Sequence, residues 1–511
     1  MTATSAPAAV RPRSARRGTG TVILGSGRLL RLELRHNAML WLLPVAFALF
    51  WYNGYREIMA LPPMWNLRAM TLQNRLLLDL VVPVTGAAAW MGSREGRRGL
   101  ADLVAVTARP RWSRQLATWA ATTAWAEVGC LACVAVVYVM TARQASWGGP
   151  LWWPAVVSVA GVPMLTAIGF AAGAWFSGRF VTPLVTLVVF FGFGFGTQAA
   201  SGDHSYWQIS PLTAGAFDIG AVPGVAAFYH YLPDLSIAQV MFAAGVTLAV
   251  LGALGVSAAL NGPRLRWLAA LIAAVGLAAA GTADALAGTG RLDPHGMIVI
   301  PALHDAASDQ PVRYTPVCSR TAIPVCVHPA YATFLPNVTS AVGAELTEIA
   351  GLPGAPARIS QVAEVYQQDP GNAITSLAGV PGGSALILPD QVPGEHGVTS
   401  AQFAGDLQDT LGLQLIRDVI LGGNASAAAR PSQAELAVIA ASVRPGSMWL
   451  GPSAADVNAP ELSGRPLLAL SRPAARAARR FAALPAAAKH AWLAQHLAAL
   501  RAGQISLAQL P

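Results

Sequence analysis

The sequence predicts a polytopic α-helical membrane protein of about seven spans followed by a soluble, mainly helical α+β domain outside the membrane. Three observations predict it. The chain is 54% hydrophobic and only 12% charged, roughly half the charged share of a soluble domain. Its apolar residues arrive in uncharged blocks of about 18 or more, the length of a bilayer span. Beyond residue 288 the composition turns more polar and rich in proline. The formal charge of +9 does not signal a nucleic-acid partner, because the arginines gather at the ends of apolar blocks, where membrane topology places them.

Taken in order, residues 1–37 form a cytoplasmic N-terminus. Arg11, Arg13, Arg16 and Arg17 precede a polar "GTGTVILGSG", and no small-residue cleavage site follows an apolar stretch, so this is not a signal peptide. In "RLLRLELRHN", Leu29, Leu30, Leu32 and Leu34 alternate with Arg28, Arg31, Glu33 and Arg35. The pattern fits a strand as well as a helix; directly before a span it reads as an interfacial helix on the inner leaflet. Hydropathy then marks spans at 38–54, 76–92, 116–141, 153–176, 181–199 and 237–260, a six-span core over 38–260. A seventh span, 266–286, lies within 261–287.

Lys and Arg favour cytoplasmic loops. With the N-terminus inside, the inside loops hold the N-terminal arginines, the basic loop 92–115, Arg179, Arg264 and Arg266. The outside loops hold Arg56, Arg68, Arg75 and Arg143, and an aromatic and acidic segment, 200–236, with Asp203, Asp218 and Asp234. This orients a multi-pass protein of the cell membrane with residues 288–511 extracytoplasmic. Gly169 with Gly173, and Gly192 with Gly194 and Gly196, have the spacing that lets membrane helices approach closely.

The loop 92–115, "GSREGRRGLADLVAVTARPRWSRQ", joins two of the most apolar segments, yet carries Arg94, Arg97, Arg98, Arg109, Arg111 and Arg114 against Glu95 and Asp102. Leu100, Leu103 and Val104 give it one apolar helical face, ended by Pro110. Topology needs a few arginines but no ordered amphipathic helix. The order of Arg94 and Glu95, then Gly99, Leu100, Leu103, Thr107 and Pro110, resembles the first intracellular loop of ABC-2 type export permeases. The segment before the first span resembles that family's elbow helix. The likeness covers roughly residues 20–260.

The resemblance implies a coupling helix that docks on a separate ABC ATPase subunit, through Arg94, Glu95, Arg97, Arg98, Gly99, Leu100 and Leu103. It also implies a second permease chain, in a homodimer or beside a sister subunit, within membrane lipid. The family's adjacent Thr-Pro is replaced here by "TARP", a departure at the end of that helix. No cofactor is implied and no enzyme activity is expected of this chain. A phosphate-binding Walker loop needs a lysine, and the chain's sole lysine, Lys489, sits in "PAAAKHAW".

Charged groups inside spans are costly and mark functional candidates. Glu127 falls well inside the third span and Asp79 near the outer end of the second. Contact with substrate, proton uptake and a hydrogen bond to a neighbouring Thr or Trp all fit Glu127. Cys130 and Cys133 fall within the third span as inert packing thiols.

In the outer domain, Cys318 and Cys326 predict a disulfide; the competing reading, a metal site with His328, lacks a fourth ligand. Strand-like runs are "GMIVIPAL", "SALILPD" and "PLLALS". Phe403, Leu407, Leu411 and Leu415 predict a helix over 400–421, Ser432 and Glu435 cap another over 433–443, and two short helices flank Pro485. The domain has neither an HExxH zinc motif nor a GxSxG elbow, and no catalytic or metal residues are assigned. Two functional readings follow: the permease subunit of an ATP-driven exporter, or a membrane-anchored extracytoplasmic receptor or assembly protein.

Overall fold

The apolar blocks form helices, and most run longer than hydropathy alone marks. The computed structural model describes residues 19–97, 110–176, 178–199, 209–211, 227–258, 263–293, 297–362, 384–386, 393, 398–422, 431–442 and 470–511. The segment before the first span is a helix, α1 (Thr19–Arg35), and the alternating pattern is therefore helical. Its Gly27–Arg35 part meets α2 (Met39–Ala60) at a 52° bend. The next helices are α3 (Trp65–Gly92), the short α4 (Arg94–Arg97), α5 (Arg111–Gln144) and α6 (Trp153–Trp175). α7 (Val181–Ala199), α8 (Asp234–Ala258) and α9 (Pro263–Ala287) follow. Among the described residues, α3, α5, α6, α8 and α9 are each long and apolar enough to cross a membrane, and bent α1–α2 makes up to six. Val181–Gly192 of α7 is a shorter apolar helix. The protein is thus a polytopic helical membrane protein.

Helix α3 corrects the sequence reading most. It begins at Trp65 instead of 76, so Asp79 lies midway along it and not near its start. Arg68 and Arg75, expected in a loop, belong to this helix because each finds a partner. Arg68 Nη2 donates to the Leu61 carbonyl at 2.9 Å and its Nη1 to Gln144 Oε1 at 2.7 Å, and Arg75 pairs with Glu57.

Small residues set the closest helix contacts. A Cβ on Gly173 would lie 2.0 Å from the Ala89 carbonyl oxygen, and one on Gly169 2.2 Å from that of Thr85. Gly169 and Gly173 thus seat α6 on α3, as their spacing predicts. The α8–α9 hairpin packs the same way: a Cβ on Gly252 would stand 2.4 Å from Ala273 N, and one on Gly276 2.3 Å from Ala249 N. Gly192 meets nothing within 4 Å, and the side-chain positions of 193–199 lie outside the description.

The 288–511 part begins with a strand pair, β1 (Arg291–Leu292) and β2 (Ile298–Val299). A four-stranded sheet in the order β3-β4-β5-β6 follows: β3 (Val317–Cys318), β4 (Val325–Val327), β5 (Ile359–Gln361) and β6 (Ser384–Leu386). β3 and β4 are antiparallel, while β4, β5 and β6 run parallel. α10 (Leu335–Ala341) and α11 (Gly343–Ile349) cross between β4 and β5. α12 (Ser400–Leu407) leads through a π-turn at Gln408–Gly412 into α13 (Leu413–Leu421), closed by Gly422 at φ +78°. Phe403, Leu407, Leu411 and Leu415 are all buried along that stretch. α14 (Gln433–Ala441) carries the expected capping box, Glu435 N donating to Ser432 Oγ at 3.2 Å. α15 (Arg472–Ala482) and α16 (Ala486–Arg501) flank Pro485.

β2 lies within "GMIVIPAL" and β6 within "SALILPD"; residues 466–469 of "PLLALS" lie outside the described residues. The domain core extends into the membrane part. Leu61, Met64, Leu67, Ala227 and Phe228 share one buried cluster with Val325, Phe334, Leu346, Phe403 and Leu497. Ser146 Oγ donates to the Pro329 carbonyl at 3.1 Å, and Val312 N to that of Phe228 at 2.7 Å.

Candidate functional site

Three groups of polar side chains stand out, one at each end of the bundle and one within it. The first surrounds the start of the basic loop. Arg94, on α4, reaches across to α1, its Nη2 2.7 Å from Glu33 Oε1. Glu95 turns towards α5, with Arg111 Nε at 3.3 Å and Arg114 Nε at 3.9 Å. Arg97 folds back on α3: its guanidinium lies 3.2 Å from the centre of the Trp90 ring, and Nη2 donates to the Trp90 carbonyl at 2.9 Å. α1 is fastened to α5 as well, since Trp125 Nε1 donates to the Leu34 carbonyl at 2.9 Å and Asn37 Nδ2 to Thr122 Oγ1 at 3.0 Å.

Arg94, Glu95 and Arg97 therefore join α1, α3 and α5 into one node. Arg98, Gly99, Leu100 and Leu103 lie outside the described residues. Sequence reasoning missed Glu33 as the partner of Arg94. The signal was present, because Glu33 is the lone acidic residue among Arg28, Arg31 and Arg35.

The second group lies inside the bundle. α2 and α3 each contain a π-turn, Phe50–Tyr55 and Leu76–Val81, and the two turns pack together. π-Turns inside helices often mark functional positions. A Cβ on Gly54 would lie 3.0 Å from Asp79 Oδ2, so glycine lets the carboxylate settle on α2. Asn53 hydrogen-bonds the Asp79 side chain, and Glu57 pairs with Arg75 on the same two helices. Asp79 is thus one member of a four-residue polar cluster, of which hydropathy showed a single residue.

Glu127 stands apart on α5, half-buried; its Oε2 is buried without a hydrogen-bond partner among the described residues. The hydrogen bond to a neighbouring Thr or Trp is not formed there. Cys130 and Cys133 are free and buried among the helices.

The third group lies where the 288–511 part meets the bundle. Cys318 and Cys326 face one another across β3 and β4 and form the expected disulfide, with Sγ atoms 2.07 Å apart. The thiols are consumed, which removes the metal reading. His328 is instead a buried structural residue. Its Nδ1 accepts from Ala330 N at 3.1 Å, and its ring packs on Trp147 and Tyr314 with centroids 4.3 Å away in each case. Burial pushes its pKa down to about 4, so the ring stays neutral.

Beside it, a cavity of about 270 Å³ is lined by Trp65, Asn66, Trp147, Tyr229 and Tyr231 among others. A second cavity, about 340 Å³, is lined by Tyr229, Asp293, Met297, His304, Ser308 and Asp309. Among the described residues no cluster of three or more His, Cys, Asp or Glu side chains has metal-binding geometry. No protein-family model, curated protein or solved structure matches the chain.

Proposed function

We propose that this chain is the membrane-spanning permease subunit of an ATP-driven exporter, working with a separate ATPase and a second permease chain in the cell membrane. The observation that carries the reading is the node around Arg94 and Glu95. A loop whose only task is topology has no need of ion pairs that bind its stem to an elbow helix and to the long helix that follows. Here Arg94–Glu33 and Glu95–Arg111 do both. A push on the loop would pass into α1, α3 and α5 together, as coupling requires.

The polar cluster around Asp79 and the isolated Glu127 supply the groups inside the bundle from which a substrate path is built. The competing reading is an anchored receptor. It is weakened by the shared core: the outer ends of the helices are part of the domain, not a tether beneath it.

The test is co-purification with the ATPase encoded beside the chain, and ATP turnover of the complex. Glu33→Gln, which breaks the node without touching the loop, is expected to leave ATPase binding intact and lower turnover. Glu95→Ala is expected to lower both, with membrane insertion unchanged. Failure of any ATPase to associate, or full turnover in both variants, refutes the reading.

A further inference from the structure

Asp234 opens α8, and its side chain is 1% exposed. Two groups from the chain just after β2 converge on its Oδ2: the Ile300 backbone N donates at 3.0 Å, and His304 Nδ1 lies at 3.2 Å. The opposite ring nitrogen, Nε2, lies 3.0 Å from Asp309 Oδ1, a carboxylate 55% exposed. An imidazole with a carboxylate at each nitrogen satisfies both only as the imidazolium, which has two N–H donors. A neutral ring must leave one carboxylate without a donor. Among the described residues, His304 is also the only cationic partner within ion-pair distance of Asp234 or Asp309.

The surroundings make this a switch and not a permanent salt bridge. Apolar contact holds the same joint from one side, with Ile298 and Ile300 packed on Leu235, Ala238, Ala283 and Ala287. The other side is the 340 Å³ cavity, to which Tyr229, Asp293, Ser308 and Asp309 contribute with His304. Asp305, next to the ring's own segment, is turned to the Ala307 backbone N. Every charged group named around the ring is therefore acidic, and the cavity gives protons a way in.

We propose that Asp309–His304–Asp234 is a proton-operated clasp, which fastens the entry of the outer domain to the end of α8 and lets go when its own compartment turns alkaline. Burial alone disfavours the charged ring, but hydrogen bonds and charge from Asp309 and Asp234 outweigh it and raise the pKa above the ordinary 6.5. The clasp is then fully closed below 6.5 and is lost as pH rises through the raised value. It operates whether or not an ATPase partners the chain.

Hydrogen exchange of the full-length protein in lipid nanodiscs tests it, followed by mass spectrometry on peptides covering 297–309 from about pH 5.5 to about pH 9 and normalised to the intrinsic rate. Wild type is expected to exchange about tenfold faster at the alkaline end, with a midpoint above 6.5. Asp309→Asn, at an exposed position, is expected to lower the midpoint, and His304→Gln to abolish the pH dependence. Flat protection in wild type, equal midpoints in wild type and Asp309→Asn, or an unchanged profile in His304→Gln overturns the clasp.

Discussion

Among 34 lysines and arginines, the sole lysine lies beside two buried carboxyls. Lys489 Nζ lies 3.6 Å from Glu348 Oε2, with side-chain exposures of 12% and 2%. Glu345, one turn earlier on α11, is buried beside it. One ammonium thus serves two buried carboxyls. Burial pushes both upward: Glu348 to about 7, against the pull of Lys489 and with the charge of Glu345 added, and Glu345 in the same direction against its own backbone hydrogen bond and Lys489. The folded state keeps a proton that the unfolded chain gives up near 4.5. Stability is therefore expected to fall as pH rises from 4.5 to about 7 and to level off above. Glu348→Gln should flatten that slope in thermal unfolding scans. Lys489→Met leaves two acids without a counter-ion and is expected to cost about 3 kcal/mol at about pH 8, and much less at about pH 5, where the acids take up protons.

At the scale of elements, the α8–α9 hairpin depends on the absence of side chains. Gly252→Leu drives a Cβ into the Ala273 backbone and is expected to lose about 2 kcal/mol and broaden the size-exclusion peak. Gly192→Ala, with open space around it, should change unfolding by no more than about 0.5 kcal/mol. The β3–β4 pair is held by a disulfide that closes a short stretch of chain, with a sequence separation of 8. Removing it in Cys318→Ser is expected to cost about 2.5 kcal/mol, read as a drop in melting temperature that reductant reproduces in wild type. These elements also show what the sequence made legible. The disulfide, the Ser432 capping box and the Phe403–Leu415 periodicity are written within a few turns of chain, and all three formed. The start of α3 was not legible, because Arg68 and Arg75 look like loop residues until Gln144 and Glu57 are placed beside them. Strands of two or three residues such as β3 and β5 carry no periodic signal. Pairing with partners distant in the chain defines them.

At the scale of the whole molecule, the boundary at residue 288 is a boundary of composition and not of packing. Leu61, Met64, Leu67 and Phe228 lie in the same core as the sheet and helices of residues 288–511. Residues 288–511 expressed alone are therefore expected to bind an apolar dye and melt without a cooperative transition; a sharp melt would show that the domain completes its own core. Hydropathy divides the chain cleanly at the last span because it weighs each residue by its own chemistry. It cannot register that Leu61 and Met64, between α2 and α3, and Phe228, ahead of α8, close over a neighbour's apolar face. The candidate site divides in the same way: Arg94, Glu95 and Asp79 were visible as charges in unusual places, while Glu33, Asn53 and Glu57 became members only through contacts across the bundle.

In mechanical terms α3 is a rod gripped at both ends and jointed in the middle. Met64 and Leu67 seat its upper, N-terminal end in the core of residues 288–511, Trp90 holds its lower, C-terminal end through Arg97, and the π-turn at Leu76–Val81 lies between them. A π-turn is one residue longer than the α-turn it replaces. Passing that extra residue along the rod would turn only the residues it passes, by roughly 100° with about 1.5 Å of travel, and leave both ends in place. The residue swung through that arc is Asp79, so travel too small to disturb either grip would still move the carboxylate from one face of the helix to another.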